Sequence, residues 1–133
     1  MFTAEFLRRT ADDLARGTGT GQTVGATSTR KYMVGRRVVS GGPEVHERWT
    51  DLAYVQAGRA TLVSGGRVEG GSEESPGEHR GGTIVDGTER VLGPGDLIVI
   101  PAGMPHQYVL AKGDSLRYLT LKVLEGAPSS TGR

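Results

Sequence analysis

Apolar residues recur at helical spacing only once along this chain. Over residues 3–16, Phe6, Leu7, Ala11, Leu14 and Ala15 form one stripe, and Thr3 stands where a cap accepts a backbone N–H. Gly17 follows the last turn, where glycine ends helices. The pattern predicts one N-terminal helix, with the glycine–threonine alternation at 17–21 as a linker. From residue 22 onward the period changes. Strong apolar runs at 32–39, 52–57, 60–64, 88–92, 96–100, 107–110 and 116–123, and weaker ones at 24–27 and 83–85, are separated by glycine, proline and aspartate. These are the residues that turn a chain, and the spacing predicts about nine short strands in a sandwich or barrel.

Particular turns refine this picture. Gly65-Gly66 before residues 67–69, and Asp86-Gly87 between 83–85 and 88–92, are two-residue hairpin signals. Residues 70–82 contain no apolar side chain and read as a solvated loop, placed to act as a lid. The run at 96–100 is rich in Ile, Leu and Val, as a strand buried on both faces would be. It is framed by Gly93-Pro94-Gly95 and by the turn from Pro101 to Pro105, and it delivers His106 at its far end. The expected organisation is helix and linker over 1–21, an all-β barrel over 22–125 and a disordered polar tail over 126–133.

Composition narrows the function classes. At 133 residues the chain is one domain by the usual prior. Sixteen basic residues against 15 acidic ones give a net charge of +1, which offers no electrostatic case for nucleic acid. No apolar run approaches the roughly 18 residues of a membrane span, so no membrane partner is expected. The N-terminus lacks the apolar core of a signal peptide. The absence of cysteine removes disulfides, thiolate catalysis and thiolate zinc sites, and fits a cytoplasmic location. Glycine, at 22 residues, is the outlier and agrees with a turn-rich all-β domain.

The candidate chemistry lies in three histidines, His46, His79 and His106, and nearby carboxylates. Residues two apart in a strand share a face, so Glu44 and His46 project together. Asp51 returns to the same pocket if the chain bends at Trp49-Thr50. With His106 the set is two imidazoles and two carboxylates, donors that suit iron, manganese, nickel or zinc. His79 falls in the polar loop and reads as solvated. Trp49, the sole tryptophan, reads as a rim or interface residue, and Tyr32, Tyr54 and Tyr108 fall in strands, where any of them can line a pocket.

The chain resembles the cupin superfamily, in particular its small single-domain members. Gly95-x5-Pro101-x-Gly103-x2-His106 is similar to the second cupin motif, except that Leu110 replaces the asparagine at its end. The first motif is degenerate. With Gly58 fixing the register, Asp51 stands for its glutamate, His46 for its second histidine and Glu44 for its first, while Val38 replaces its leading glycine. A second register, with His46 first and Arg48 second, leaves too short a gap to Asp51. The resemblance covers roughly residues 35 to 123. It implies a double-stranded β-helix (jelly roll), often dimeric, with one metal ion inside. The implied ligands are His46, Asp51 and His106, with Glu44 in an exchanged position.

Three functional expectations follow. The first is a small metal-dependent enzyme acting on a small organic molecule in the barrel mouth, with oxygenase, isomerase, cyclase or lyase chemistry. One divalent ion (Fe, Mn, Zn or Ni) would be held by His46, His106, Asp51 and Glu44, and Glu44 serves as general base if it is not a ligand. The second is a metal-free acid–base enzyme using His46 oriented by Glu44 or Asp51. The third is a non-catalytic small-molecule-binding barrel. A homodimer is expected from the resemblance and from the sheet edges that pairing would cover.

Overall fold

A computed structural model describes residues 1–17 and 19–126. Among the described residues, one helix, α1 (Ala4–Ala15), precedes thirteen strands. The first seven are β1 (Gly21–Ala26), β2 (Arg30–Arg37), β3 (Glu44–His46), β4 (Trp49–Gly58), β5 (Ala60–Ser64), β6 (Arg67–Glu69) and β7 (Ser72–Ser75). They continue as β8 (Glu78–Arg80), β9 (Thr83–Val85), β10 (Thr88–Leu92), β11 (Leu97–Ile100), β12 (His106–Val109) and β13 (Leu116–Leu124). The strands form two facing sheets, β1-β2-β13-β4-β11 and β10-β5-β12-β3-β8-β7, with β6 and β9 as a separate pair. This is the expected double-stranded β-helix, with more and shorter strands than the apolar runs indicate. The tail expected from 126 onward lies, apart from Gly126, outside the described residues.

Helix α1 forms where expected, with the Thr3 hydroxyl accepting from the Phe6 N–H. Its buried residues are Thr10 and Ala11 rather than the full apolar stripe, since Phe6 remains exposed and stacks on Phe2. The helix covers the outer face of β2, where Val34 is fully buried. On the inner face of the same strand, Gly35 lies opposite Tyr118, and a Cβ there would run into the phenol ring.

Both hairpin expectations are corrected. The β5 strand pairs with β10 and β6 pairs with β9, so neither Gly65-Gly66 nor Asp86-Gly87 joins its flanking strands to each other. The two dipeptides face one another as a double kink in one long arm. Positive φ at Gly65, Gly66 and Asp86 bends each strand there without reversing it. The residue 70–82 segment is likewise no loop. It folds as the hairpin β7–β8 about Pro76-Gly77 and extends the second sheet through β3. A strand that packs in a barrel wall through polar side chains carries no apolar alternation, which is why the pattern hides it.

Strand β11 is buried on one face only. Ile100 is buried and Ile98 half-buried, whereas Leu97 and Val99 are exposed at the edge of the first sheet. The core is gathered at one end, around Val55, Leu62, Leu92, Ile100, Leu110 and Leu116.

Candidate functional site

Strand register assembles the site. On the second sheet, Glu44 of β3 lies directly opposite His106 of β12 on one side and Arg80 of β8 on the other. His46, two residues along β3, lies opposite Glu78. Because period-two alternation keeps these residues on one face, all five line a cavity of about 340 Å³ between the sheets. The first sheet answers with a row across three strands, Asp51–Lys122–Lys31, directly paired in register. Deeper in, β13 turns from Lys122 through Thr120 and Tyr118 to Leu116, so the cavity is polar at its mouth and apolar at its floor.

Both cavity histidines are oriented by an acceptor behind them. His46 Nδ1 is 2.6 Å from Glu78 Oε1, and His106 Nδ1 is 3.2 Å from the Met104 carbonyl oxygen. A carboxylate or carbonyl oxygen accepts, so each contact places a proton on Nδ1, and in the neutral imidazole Nε2 is then the acceptor nitrogen. The rings are tilted at 49° with centroids 5.0 Å apart. His46 Nε2 is 3.7 Å from both Glu44 Oε1 and Asp51 Oδ2. Burial pushes the His106 imidazole below its ordinary value, and the neighbouring His46 adds to this.

Glu44 is clamped by two guanidinium groups. Arg80 Nη1 donates to Oε1 at 2.7 Å and Arg37 Nη2 to Oε2 at 3.3 Å. Burial alone would raise this carboxyl, but Arg80, the two histidines and Arg37 together outweigh it and hold Glu44 below its ordinary value. Arg37 also donates through Nε to the Tyr118 hydroxyl at 3.1 Å and lies over the Tyr108 ring. Burial raises both phenols, so Tyr108 and Tyr118 stay protonated at the cavity floor.

Among the described residues, Glu44, His46 and His106 each offer a ligand atom within 4.8 Å of the others. Asp51 falls outside that trio. It lines the same cavity, but its Oδ1 is held by Lys122 Nζ at 2.7 Å. It reaches the cavity from within β4, because the chain bends at Glu47 and Arg48, two residues earlier than the bend expected at Trp49-Thr50.

His79 points out of the other face of β8 and pairs with Glu47 at the surface, half-exposed. Of the tyrosines expected in strands, Tyr108 lines the cavity and Tyr54 is exposed on the outer face. Glu78, Arg80, Arg37, Lys122 and Tyr118 also line the cavity, though spacing alone does not single them out. For Glu78 and Arg80 a signal exists: Pro76-Gly77 is a turn dipeptide, and the two residues alternate immediately after it.

The two-imidazole, one-carboxylate donor set fits a divalent transition metal. The acceptors behind both Nδ1 atoms are what ligating histidines require. The fit is qualified only by the cations around Glu44, which make that carboxylate a shared ligand.

The family model described as Cupin domain matches residues 80–122, from the end of β8 into β13. Among solved structures, the chain is similar to an uncharacterized conserved protein with a double-stranded β-helix domain from Klebsiella pneumoniae. That match has 16% identity and a TM-score of 0.59, over 84% of each chain. The polyketide cyclase RemF from Streptomyces resistomycificus matches at 21% identity and a TM-score of 0.55, over 83% of this chain and 72% of that one. The DMSP lyase DddQ from Ruegeria pomeroyi matches at 19% identity and a TM-score of 0.56, over 82% of this chain and 49% of that one. No curated protein matches the chain in sequence.

Proposed function

We propose that the chain is a small cupin domain and a metal-binding enzyme acting on a small organic molecule in the barrel cavity. Its chemistry is of the oxygenase, isomerase, cyclase or lyase type. The observation that carries this reading is the pair of imidazoles, each with Nδ1 tied to an oxygen, beside a carboxylate in one concave site. Similarity in fold to a polyketide cyclase and a DMSP lyase supports enzyme chemistry in such a barrel.

His46, His106 and Glu44 are the proposed ligands, with Asp51 beside them. A bound Fe, Mn, Zn or Ni ion supplies Lewis acidity at the inner end of the cavity. Arg37 and Arg80 keep Glu44 ionised, either as ligand or as base. Lys122 holds one oxygen of Asp51 and leaves the other facing His46, where it can take or return a proton. Tyr108 and Tyr118, kept neutral by burial, close the floor and exclude water.

One observation favours a second reading. The 2.6 Å His46–Glu78 contact makes a histidine–carboxylate dyad able to perform acid–base chemistry at Nε2 without an ion. In that reading Glu78, rather than Glu44 or Asp51, orients the base. Elemental analysis of the purified protein beside His46→Ala and His106→Ala separates the two. Near-stoichiometric transition metal in the wild type, lost in both variants, supports the metal reading. Metal-free protein that cannot be reconstituted, with turnover still dependent on His46, leaves the dyad.

We also infer a homodimer through the outer face of β4 and β11, where Tyr54, Leu97 and Val99 are 46%, 64% and 57% exposed. A cytoplasmic location is proposed from the absence of cysteine.

A further inference from the structure

A second chamber of about 440 Å³ adjoins the site and shares Lys31, Glu78 and Lys122 with it. Its charge is lopsided: Lys31, Arg48 and Lys122 face a single carboxylate, Glu78. Two of these four charges are already used, since Glu78 orients His46 and Lys122 holds Asp51. That leaves Lys31 and Arg48, neither of which has a carboxylate partner among the described residues.

Unpaired surface cations are common, but Lys31 is not placed like one. It is half-buried in a concave wall, and its ammonium sits 4.7 Å from the centroid of the Trp49 ring. A cation–π contact fixes an ammonium without neutralising it. Lys31 is also register-paired with Lys122, and both lysines line the inner cavity as well as this chamber. Trp49, Pro76 and Leu124 supply an apolar lining beside this charge.

We propose that this outer chamber is a carboxylate-binding subsite, and that the substrate is an organic acid held by Lys31 and Arg48. Lys31, held over Trp49, and the exposed Arg48 on the same chamber wall can together recognise the charged end of a small acid carrying a hydrocarbon or aromatic body. The acid group then stays outside while the body extends past Lys122 toward Glu44, His46 and His106. This assignment of substrate class rests on the inner chamber being the reaction site, but the binding it describes does not depend on a metal.

Trp49 is the only tryptophan in the chain, so its fluorescence reports on this chamber alone. The full-length protein is titrated with benzoate and with its uncharged isostere benzamide. Benzoate is expected to shift Trp49 emission saturably, and added salt to weaken it. Benzamide is expected to give no saturable shift over the same range. Lys31→Gln and Arg48→Gln each raise the benzoate Kd by about tenfold, the usual worth of one charged hydrogen bond. Lys31→Arg, which keeps the charge, retains most of the affinity, and circular dichroism shows that the variants are folded. His106→Ala leaves benzoate binding unchanged. If the protein proves metal-free while this pattern holds, the metal-dependent reading fails and the subsite stands. Equal binding of benzamide, no saturable response to benzoate, full affinity in a Lys31→Gln/Arg48→Gln double variant, or loss of binding in His106→Ala would overturn it.

Discussion

The two strands that contribute histidines to the inner chamber hold them by different means. On β12, His106 is positioned by the chain itself: its Nδ1 proton goes to the Met104 carbonyl two residues away, and its side chain is buried. On β3, His46 and Glu44 are positioned by charged side chains from elsewhere, namely Glu78 and Arg80 from β8 and Arg37 from β2. A backbone acceptor survives most substitutions, whereas a side-chain acceptor is one mutation from being lost. The β12 wall is therefore robust and local, and the β3–β8 wall is a long-range electrostatic construction.

The largest break is expected at Glu44. In Glu44→Ala the Arg37 guanidinium, only 11% exposed, loses its carboxylate. Removing one partner of a buried pair should cost about 3 kcal/mol, read as a lower midpoint in urea denaturation. The volume-conserving Met104→Leu, on the other wall, keeps the carbonyl acceptor and should cost less than about 1.5 kcal/mol. Next comes Glu78→Gln, which should weaken retention of a bound metal by about 10- to 100-fold in chelator competition while leaving the fold intact. No substitution at Met104 should weaken it comparably.

A smaller effect is expected at the tip of the β7–β8 hairpin. Gly77 has φ of 77°, so Gly77→Ala should cost about 1 kcal/mol. Hydrogen exchange should locate the loss in β7, β8 and β3, and β12 should keep its protection.

The smallest lies on the outer face of the same hairpin. The hydrogen bond to Glu47 raises the half-exposed His79 above its ordinary 6.5. A raised histidine contributes stability that is complete below the unfolded value and lost as pH climbs through the folded one. The His79 titration midpoint, followed by NMR, should fall toward 6.5 in Glu47→Gln, with no change at the inner chamber.

The same contrast explains what the sequence makes legible. Gly95, Pro101, Gly103 and His106 lie close together in the chain, and local turn chemistry dictates their spacing, so the β12 wall can be read residue by residue. The Glu44 and His46 pair is legible from alternation alone. Glu78 and Arg80 are marked only by the Pro76-Gly77 turn before them, because their strand has no apolar alternation and gains its place by pairing with β3, some 32 residues earlier at the His46–Glu78 contact. Arg37 and Lys122 fail for a related reason: each sits in a strand whose pattern reports burial but not what it faces. The kinked arm at Gly65-Gly66 and Asp86-Gly87 shows the limit of turn dipeptides, which fix backbone angles and leave pairing to tertiary packing.

The central claim is that both walls close on one ion through two imidazoles. Cobalt(II) reconstitution followed by proton NMR in water tests it most directly. Each ligating histidine keeps its exchangeable Nδ1 proton, and the paramagnetic ion shifts that proton far from the protein envelope. The account predicts two such exchangeable signals in the wild type, and neither of them in His46→Ala or His106→Ala, each of which loses the ion. No shifted signal, or a signal that persists in both variants and therefore comes from His79, would contradict it.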